Sequence, residues 1–434
     1  MHRHVWTWTV LIGCVCGLAA AAQPQADPCE PGWDETFAPV FSFFGEINAM
    51  VVHDDGTGAA LYVAGDFDEV AGRSVGNIAR WDGSAWSAVG AGLDWRVNSL
   101  AIHDQGDGPE LYAAGENVVV RWDGVQWVQV GPSFDGPVEA LVSYADGLGR
   151  AQLHAGGAFN EAGSTFARGV ARFGFTIWDA LGPGLSFAAY AFTEFDDGTG
   201  NGLYVGGDFV RAGSIDTKGI ARWRDATWSG LDDGVGGAAS ALAVYDDGGG
   251  ESLYVGGTFN WAGATGADGI AQWDGSQWAT VGDGFSGSVR ALQSHDDGKG
   301  QALYVGGVRL RVGGVVDGGL ARWDGQEWSR VGDDVRGSVN AFAVFDDGTG
   351  PALYVGGDFF VGPPFLGSKL ARWYCPSEPC RVDLDGDDTL TIFDFLMFQN
   401  AFDAQDPIAD FDGDGDFTVF DFLAFQNEFD SGCP

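Results

Sequence analysis

The sequence predicts an all-β chain: a seven-bladed β-propeller closed by an N-terminal strand, followed by a small α-helical module at the C-terminus. Three observations predict it. A phrase of the form Leu-Tyr-Val-Gly-Gly begins at Leu61, Leu111, Leu153, Leu203, Leu253, Leu303 and Leu353, 50 residues apart except for one spacing of 42. A second phrase, Ala-Arg-Trp-Asp-Gly-x-x-Trp, follows the copies in step. Two acidic loops of matched spacing then end the chain, each running into a near-identical segment rich in phenylalanine.

Composition agrees. With 71 Gly, 17 Trp and 31 Phe but 3 Met in 434 residues, the chain has the turn-formers and large aromatics of many short strands. Against 61 acidic residues stand 22 basic ones, a net charge of −39. Such a surface repels phosphate backbones and anionic lipid and attracts cations, so nucleic acid is not an expected partner.

Residues 1–22 read as an export signal. Arg3 gives a positive start, Val5 to Leu18 is apolar, and Ala20-Ala21-Ala22 offers a small-residue cleavage site. Leu11-Ile12-Gly13-Cys14 also resembles a lipoprotein processing box, which implies lipid at Cys14 as an alternative. No later run reaches the ~18 apolar residues of a membrane span. The expected location is secreted or cell-surface. Outside the signal the cysteines are Cys29, Cys375, Cys380 and Cys433. An even count in an exported chain suggests two disulfides, with three pairings open.

Each period holds four short strands, in one copy near Ala241–Tyr245, Leu253–Phe259, Ile270–Trp273 and Trp278–Val281. Asp246-Asp247-Gly248 and Asp274-Gly275 are hairpin turns between them. Leu203-Tyr204-Val205 is apolar on both faces, as a strand sandwiched between neighbouring sheets must be. The seventh copy breaks off at Cys375 with no second Trp. Gly32-Trp33 supplies the missing strand, so the propeller spans 29–375 and its N-terminus closes the ring. Cys29 would then lie near Cys375 or Cys380.

The repeats resemble kelch-like propeller repeats, and more closely the Gly-Gly-x-Phe…Trp-x-x-x-x-Trp type of cortical cell-polarity marker proteins. The resemblance covers about 29–375 and implies a fold, not an activity.

In an up-and-down blade the Asp-Asp-Gly and Trp-Asp-Gly turns share one face, and the longer loops after Gly-Gly-x-Phe share the other. Those loops vary and carry Trp261, Arg309, Arg311, Phe360 and Phe365, a place for a polysaccharide or protein ligand. The Asp-Asp-Gly turns read as turn chemistry rather than calcium sites. Arg80, Arg121, Arg222, Arg322 and Arg372 read as structural, stacking or pairing between blades. His53, His103, His154 and His295 replace aromatic residues of sister repeats, which points to core substitution rather than metal ligation. No nucleophile elbow, zinc-binding helix or P-loop motif occurs, and no catalytic residue is assigned. Glu116 and Glu194 stand outside the repeat pattern, but nothing in the sequence places them together.

The chemistry is clearest at the end. Asp383, Asp385, Asp387, Thr389, Thr391 and Asp394 occupy positions 1, 3, 5, 7, 9 and 12 of one loop, Thr389 through its carbonyl. Asp410, Asp412, Asp414, Asp416, Thr418 and Asp421 repeat this 27 residues later. A hard cation wants six or seven oxygens wrapped by one short loop, so the pattern predicts two Ca²⁺ ions. Phe395, Phe398 and Phe402 fall on one helical face, as do Phe422, Phe425 and Phe429. Position 12 is Asp where ordinary EF-hands carry Glu, and in this the segment 380–434 resembles a dockerin module. The resemblance implies docking onto a cohesin-like domain in an extracellular assembly, often one that degrades polysaccharide. Two departures stand out: Asp388 replaces the usual turn glycine, and Ile392-Phe393 and Val419-Phe420 are bulkier than the small or hydroxyl residues that dockerins use for partner choice.

The expected function is therefore an exported, non-catalytic recognition propeller with a calcium-dependent docking module. A carbohydrate-active enzyme (a glycoside hydrolase or lyase) and a structural cell-surface protein are the alternatives.

Overall fold

A computed structural model of the protein describes residues 30–34, 37, 45–145, 151–282, 285–312, 316–332, 335–361, 366–375, 382–384, 390–411, 413 and 415–431. The chain is mostly β, 56% strand against 8% helix, so its helix is that of the C-terminal module.

Seven antiparallel sets of four strands follow one another: sheet I over 46–88, II over 97–129, III over 138–180, IV over 189–230, V over 235–280, VI over 285–329 and VII over 335–374. In sheet V the strands are Val235–Asp246, Glu251–Ala262, Ile270–Trp273 and Trp278–Thr280, longer at the first two than the sequence suggested. The fourth strand of sheet VII is Gly32–Trp33, with Trp33 opposite Trp373. A single bridge between Val308 and Ser338 links sheets VI and VII.

Turn chemistry fixes the first hairpin of six of the seven sheets; the turn of sheet III lies outside the described residues. Asp246 Oδ1 accepts from the backbone N–H of Gly248 and Gly250 at 2.8 and 2.9 Å, and the same carboxylate cap recurs at Asp54, Asp104, Asp196, Asp296 and Asp346. Each second strand is sealed: Leu253, Tyr254 and Val255 are fully buried.

Neighbouring sheets share their cores. Seven apolar clusters each draw on two consecutive sheets, and the one around Ile47, Leu61, Phe345 and Tyr354 joins VII to I. First strands pack beside first strands in order, and that of sheet I lies against that of sheet VII. Packing explains the glycine pair. A Cβ on Gly356 would sit 2.7 Å from Ile47 Cγ2 of sheet I, and one on Gly357 would sit 2.1 Å from the Ser338 carbonyl of its own sheet.

The repeated tryptophans lock the sheets edge to edge. Trp127, Trp178, Trp228, Trp278 and Trp328 each donate Nε1–H to a carbonyl of the preceding sheet, at 3.0 to 3.2 Å. Each also lies against the aromatic across its own hairpin, with centroids 5.0 to 5.4 Å apart, and Trp33 with Trp373 makes the same pair at 5.1 Å.

At the C-terminus, helices α1 (Ile392–Ala404) and α2 (Val419–Ser431) pack through Phe398 and Phe425, whose rings stack at 4.1 Å. Phe411, Ala409 and Val382 complete this separate core, with Phe395, Phe402, Phe422 and Phe429 around it.

Candidate functional site

The acidic loops lead directly into the two helices. Thr391 is the N-cap of α1 and Asp394 completes a capping box. Asp394 is fully buried, and its two oxygens accept from the N–H of Leu384 (2.9 Å) and of Thr391 (2.8 Å). One carboxylate thus ties positions 2, 9 and 12 together and closes the loop. The second loop repeats the device: Asp421 is fully buried and accepts from Thr418 N–H at 2.8 Å. The hydroxyls of Thr391 and Thr418 cap their helices by accepting from Phe393 and Phe420 N–H, both at 3.1 Å.

Asp410, at position 1 of the second loop, carries the observation that bears on a metal. Its Oδ2 accepts from Gly415 N–H at 3.1 Å, while Oδ1 is buried with no hydrogen-bond partner. A buried carboxylate oxygen without a donor is costly unless a cation faces it. Asp385, Asp387, Thr389, Asp412 and Asp414 lie outside the described residues, as do Cys29, Cys380 and Cys433. Among the described residues no three His, Cys, Asp or Glu side chains converge as a metal cluster. Asp383 and Asp416 are described, half-buried and exposed respectively. Cys375 is disulfide-bonded.

Both helices expose an apolar face at their first turns. Ile392, Phe393, Leu396 and Met397 on α1 match Val419, Phe420 and Leu423 on α2, and Phe393 and Phe420 are 64% and 62% exposed. That is unusual for seven large apolar side chains in so small a module.

In the sheets, the second Asp of each turn has a protein role. The Asp197 carboxylate accepts from Tyr204 Oη at 3.0 Å and pairs with Arg222; Asp55, Asp297 and Asp347 hold the equivalent Tyr and Arg. In sheet II Glu110 takes this place, with Tyr112 and Arg121. The repeated arginines therefore pair mainly within their own sheet, not between blades as their sequence suggested. The turn carboxylate, buried beside the tyrosine, is what draws them. Burial pushes Asp297 up, but hydrogen bonds from Tyr304 and Trp373 and the charge of Arg322 hold it below the usual carboxylate range.

The histidines are core aromatics. His53, His103, His154 and His295 pair with a tyrosine across the hairpin at 5.6 to 6.0 Å, as Phe195, Tyr245 and Phe345 do in the other sheets. Glu116 and Glu194 are not brought together. Glu116 lies in the tight turn between the second and third strands of sheet II, and Glu194 near the opposite end of a strand in sheet IV, bonded to Asn201.

On the long-loop side Trp261 is covered by Lys218, whose Nζ stands 4.8 Å from the ring centroid. One face of that ring is therefore taken. Phe360 is 48% exposed, Arg309 is exposed, and Phe365 lies outside the described residues.

Sequence reading missed a set of seven residues. Every first strand carries a β-bulge at the same place, at Asn48, Asn98, Glu139, Tyr190, Ser240, Arg290 and Asn340. Bulges re-aim a side chain. The signal was the variable residue of the phrase Val-x-Ala-Leu, whose neighbours change less from copy to copy.

No protein-family model matches the chain, and no curated protein matches it. Solved structures do. One chain of the crystal structure of BBS1N in complex with ARL6DN, soaked with lead, is 11% identical with a TM-score of 0.50, over 80% of this chain and 97% of that one. The extracellular domain of a one-component system from B. thetaiotaomicron is 12% identical with a TM-score of 0.49, over 78% of this chain and 39% of that one. A hybrid two-component system's extracellular domain from the same organism gives 13% and 0.46, over 76% and 40%. The chain thus spans about two fifths of the two sensor domains, and at these identities the likeness is one of fold. No helix among the described residues is long and apolar enough to cross a membrane.

Proposed function

We propose that this is an exported protein in which a closed seven-bladed β-propeller recognises a ligand and a dockerin-like module, loaded with two Ca²⁺ ions, attaches it to an extracellular or cell-surface assembly. The single observation that carries the docking role is the duplicated apolar face at the first turns of α1 and α2. It begins at positions 10 and 11 of the acidic loops, where the helices start, so cation binding and docking share one element. The buried, donorless Asp410 Oδ1 and the loop-closing Asp394 and Asp421 fit a hard divalent cation. Calcium would neutralise the clustered carboxylates and hold the loops that orient both helices. The bulk of Phe393 and Phe420 selects a cohesin-like partner with an apolar docking surface. Ring closure is supported by the apolar core between sheets VII and I and by Trp33 completing sheet VII.

The test is binding of the full chain to a panel of purified cohesin domains with calcium or with chelator. The expected result is calcium-dependent binding, weakened at least tenfold by Phe393→Ser with Phe420→Ser. Absence of binding to every domain at saturating calcium would overturn the cohesin-type docking role.

A further inference from the structure

The bulge residues meet at one end of the ring of first strands. Asn48 Nδ2 donates to the Val97 carbonyl (2.9 Å), Asn98 Nδ2 to Val138 (3.2 Å) and Asn340 Nδ2 to Ile47 (3.1 Å), so each carboxamide reaches the next sheet. Glu46 joins the network through Arg96 (2.8 Å) and Asn340 (3.2 Å). Together with Glu139 and Arg290 they line a cavity of about 180 Å³. A second cavity, of about 550 Å³, adjoins it through Glu46 and Arg290 and extends to Arg309, Ser338 and Asp358.

Three features make this a built site. It falls where the repeat abandons identity: flanking positions stay small or apolar while the bulge position changes in size and charge from sheet to sheet. Its carboxamides are fixed by backbone carbonyls, and the oxygens of Asn48 and Asn340 each already accept from an arginine, Arg96 at 3.3 Å and Arg290 at 2.9 Å, so they are oriented acceptors with one lone pair left. Its charges do not cancel. Arg290 donates Nη1–H to Asn340 Oδ1 at 2.9 Å and has no carboxylate partner among the described residues. Arg309 is held at φ +53° in the same cavity wall, and Asp358 there is engaged by Lys369 at 3.1 Å. Against the carboxylates of Glu46, Glu139 and Asp358 stand Arg96, Arg290, Arg309 and Lys369, an excess of positive charge in a chain with nearly three acidic residues for every basic one, and the two guanidinium groups that lack a carboxylate partner among the described residues call for an anionic ligand. The neighbouring carboxylates and carboxamides call for hydroxyl groups on the same ligand.

We propose that this axial pocket binds a carboxylated sugar of the uronic-acid class, its carboxylate on Arg290 and Arg309 and its hydroxyls on Glu46, Glu139 and the asparagine carboxamides. The smaller cavity suits one ring and the larger one the next residue of a chain. This assignment rests on the recognition role proposed for the propeller and is independent of the docking module.

The experiment is titration calorimetry of the full chain, in calcium, with digalacturonate and with the neutral disaccharide of the same ring configuration. The expected result is binding of the acidic sugar at least tenfold tighter than the neutral one. Arg290→Ala should weaken it a further ten- to hundredfold without moving the unfolding midpoint, and Arg290→Lys should restore part of it. Equal affinity for both sugars, or binding indifferent to Arg290→Ala and Arg309→Ala, would overturn the assignment. Failure of both sugars would also overturn it. A glycan and peptide array probed with the full chain then separates the two readings: a ligand retained by the Arg290→Ala protein keeps the recognition role and removes this pocket, while an array blank for both removes the role itself.

Discussion

Replacing Asp297 by Ala should cost the fold far more than replacing Asp247 by Ala, although both occupy the same position in sister turns. Asp297 is 2% exposed. It accepts from Tyr304 Oη at 2.5 Å and Trp373 Nε1 at 3.3 Å, and it faces Arg322, 11% exposed, at 3.6 Å. Its loss removes the charge partner of a nearly buried guanidinium, which keeps its bond to the Gly300 carbonyl, and strands three neutral donors, the third being Lys299 N–H at 3.2 Å. Breaking a buried pair from one side costs about 3–5 kcal/mol, and the 3.6 Å separation places this case near 4 kcal/mol. Asp247 has neutral partners: Tyr254 Oη at 3.1 Å and Gln272 Nε2 at 3.3 Å. Unsatisfied neutral donors cost about 1–3 kcal/mol, so about 2 kcal/mol is expected there. The assay is urea unfolding followed by tryptophan fluorescence at fixed calcium. A difference of about 2 kcal/mol in favour of Asp247→Ala supports the reasoning. Equal losses, or losses that vanish in chelator, would refute it, the second because the turns would then be calcium sites.

Three further predictions follow from particular contacts. Burial, with Arg172 and His103 adding to it, pushes His154 down from 6.5 to about 4, even though the Gln152 carbonyl favours the charged form. Above pH ~6.5 both folded and unfolded states hold the ring neutral; as pH falls toward 4 the unfolded chain takes up a proton that the folded one refuses. Stability should therefore fall by roughly 2–3 kcal/mol between pH 7.5 and 4.5 through this residue, and His154→Phe should abolish that share of the loss in urea titrations at the two pH values. Trp228→Phe removes the Nε1–H bond to the buried Leu181 carbonyl and should cost about 1–2 kcal/mol, read in the same assay. In calcium titrations Asp421→Ala should weaken binding more than Asp394→Ala, because the second loop keeps its turn glycine, Gly415, where the first has Asp388.

Much of the β architecture was legible because it is written as identity. Repeated Trp pairs, Gly-Gly and Asp-Asp-Gly are residues whose packing or backbone demands recur in most of the sheets. Trp33 was recognisable as a displaced member of that set, and it pairs with Trp373 as the count required. The histidines were legible for the same reason. The Asp–Tyr–Arg clusters were not, because their members come from a turn and two strands whose register the sequence does not state. The bulge residues were hidden for the opposite reason. Asn48, Glu139 and Arg290 share nothing but a bulge, and a bulge is a backbone event with no residue signature of its own. In the C-terminal module the spacing of the acidic residues was plain, but the helix caps that Thr391 and Thr418 supply appear only in the hydrogen bonds.

Calcium titration of the full chain by calorimetry, followed in parallel by far-ultraviolet circular dichroism, tests the central claim most directly. The account predicts two ions per chain, a gain of helical signal on binding, and loss of one of the two when Asp410 is replaced by Ala. No bound calcium, or a stoichiometry near five that tracks the Asp-Asp-Gly hairpin turns, would contradict it.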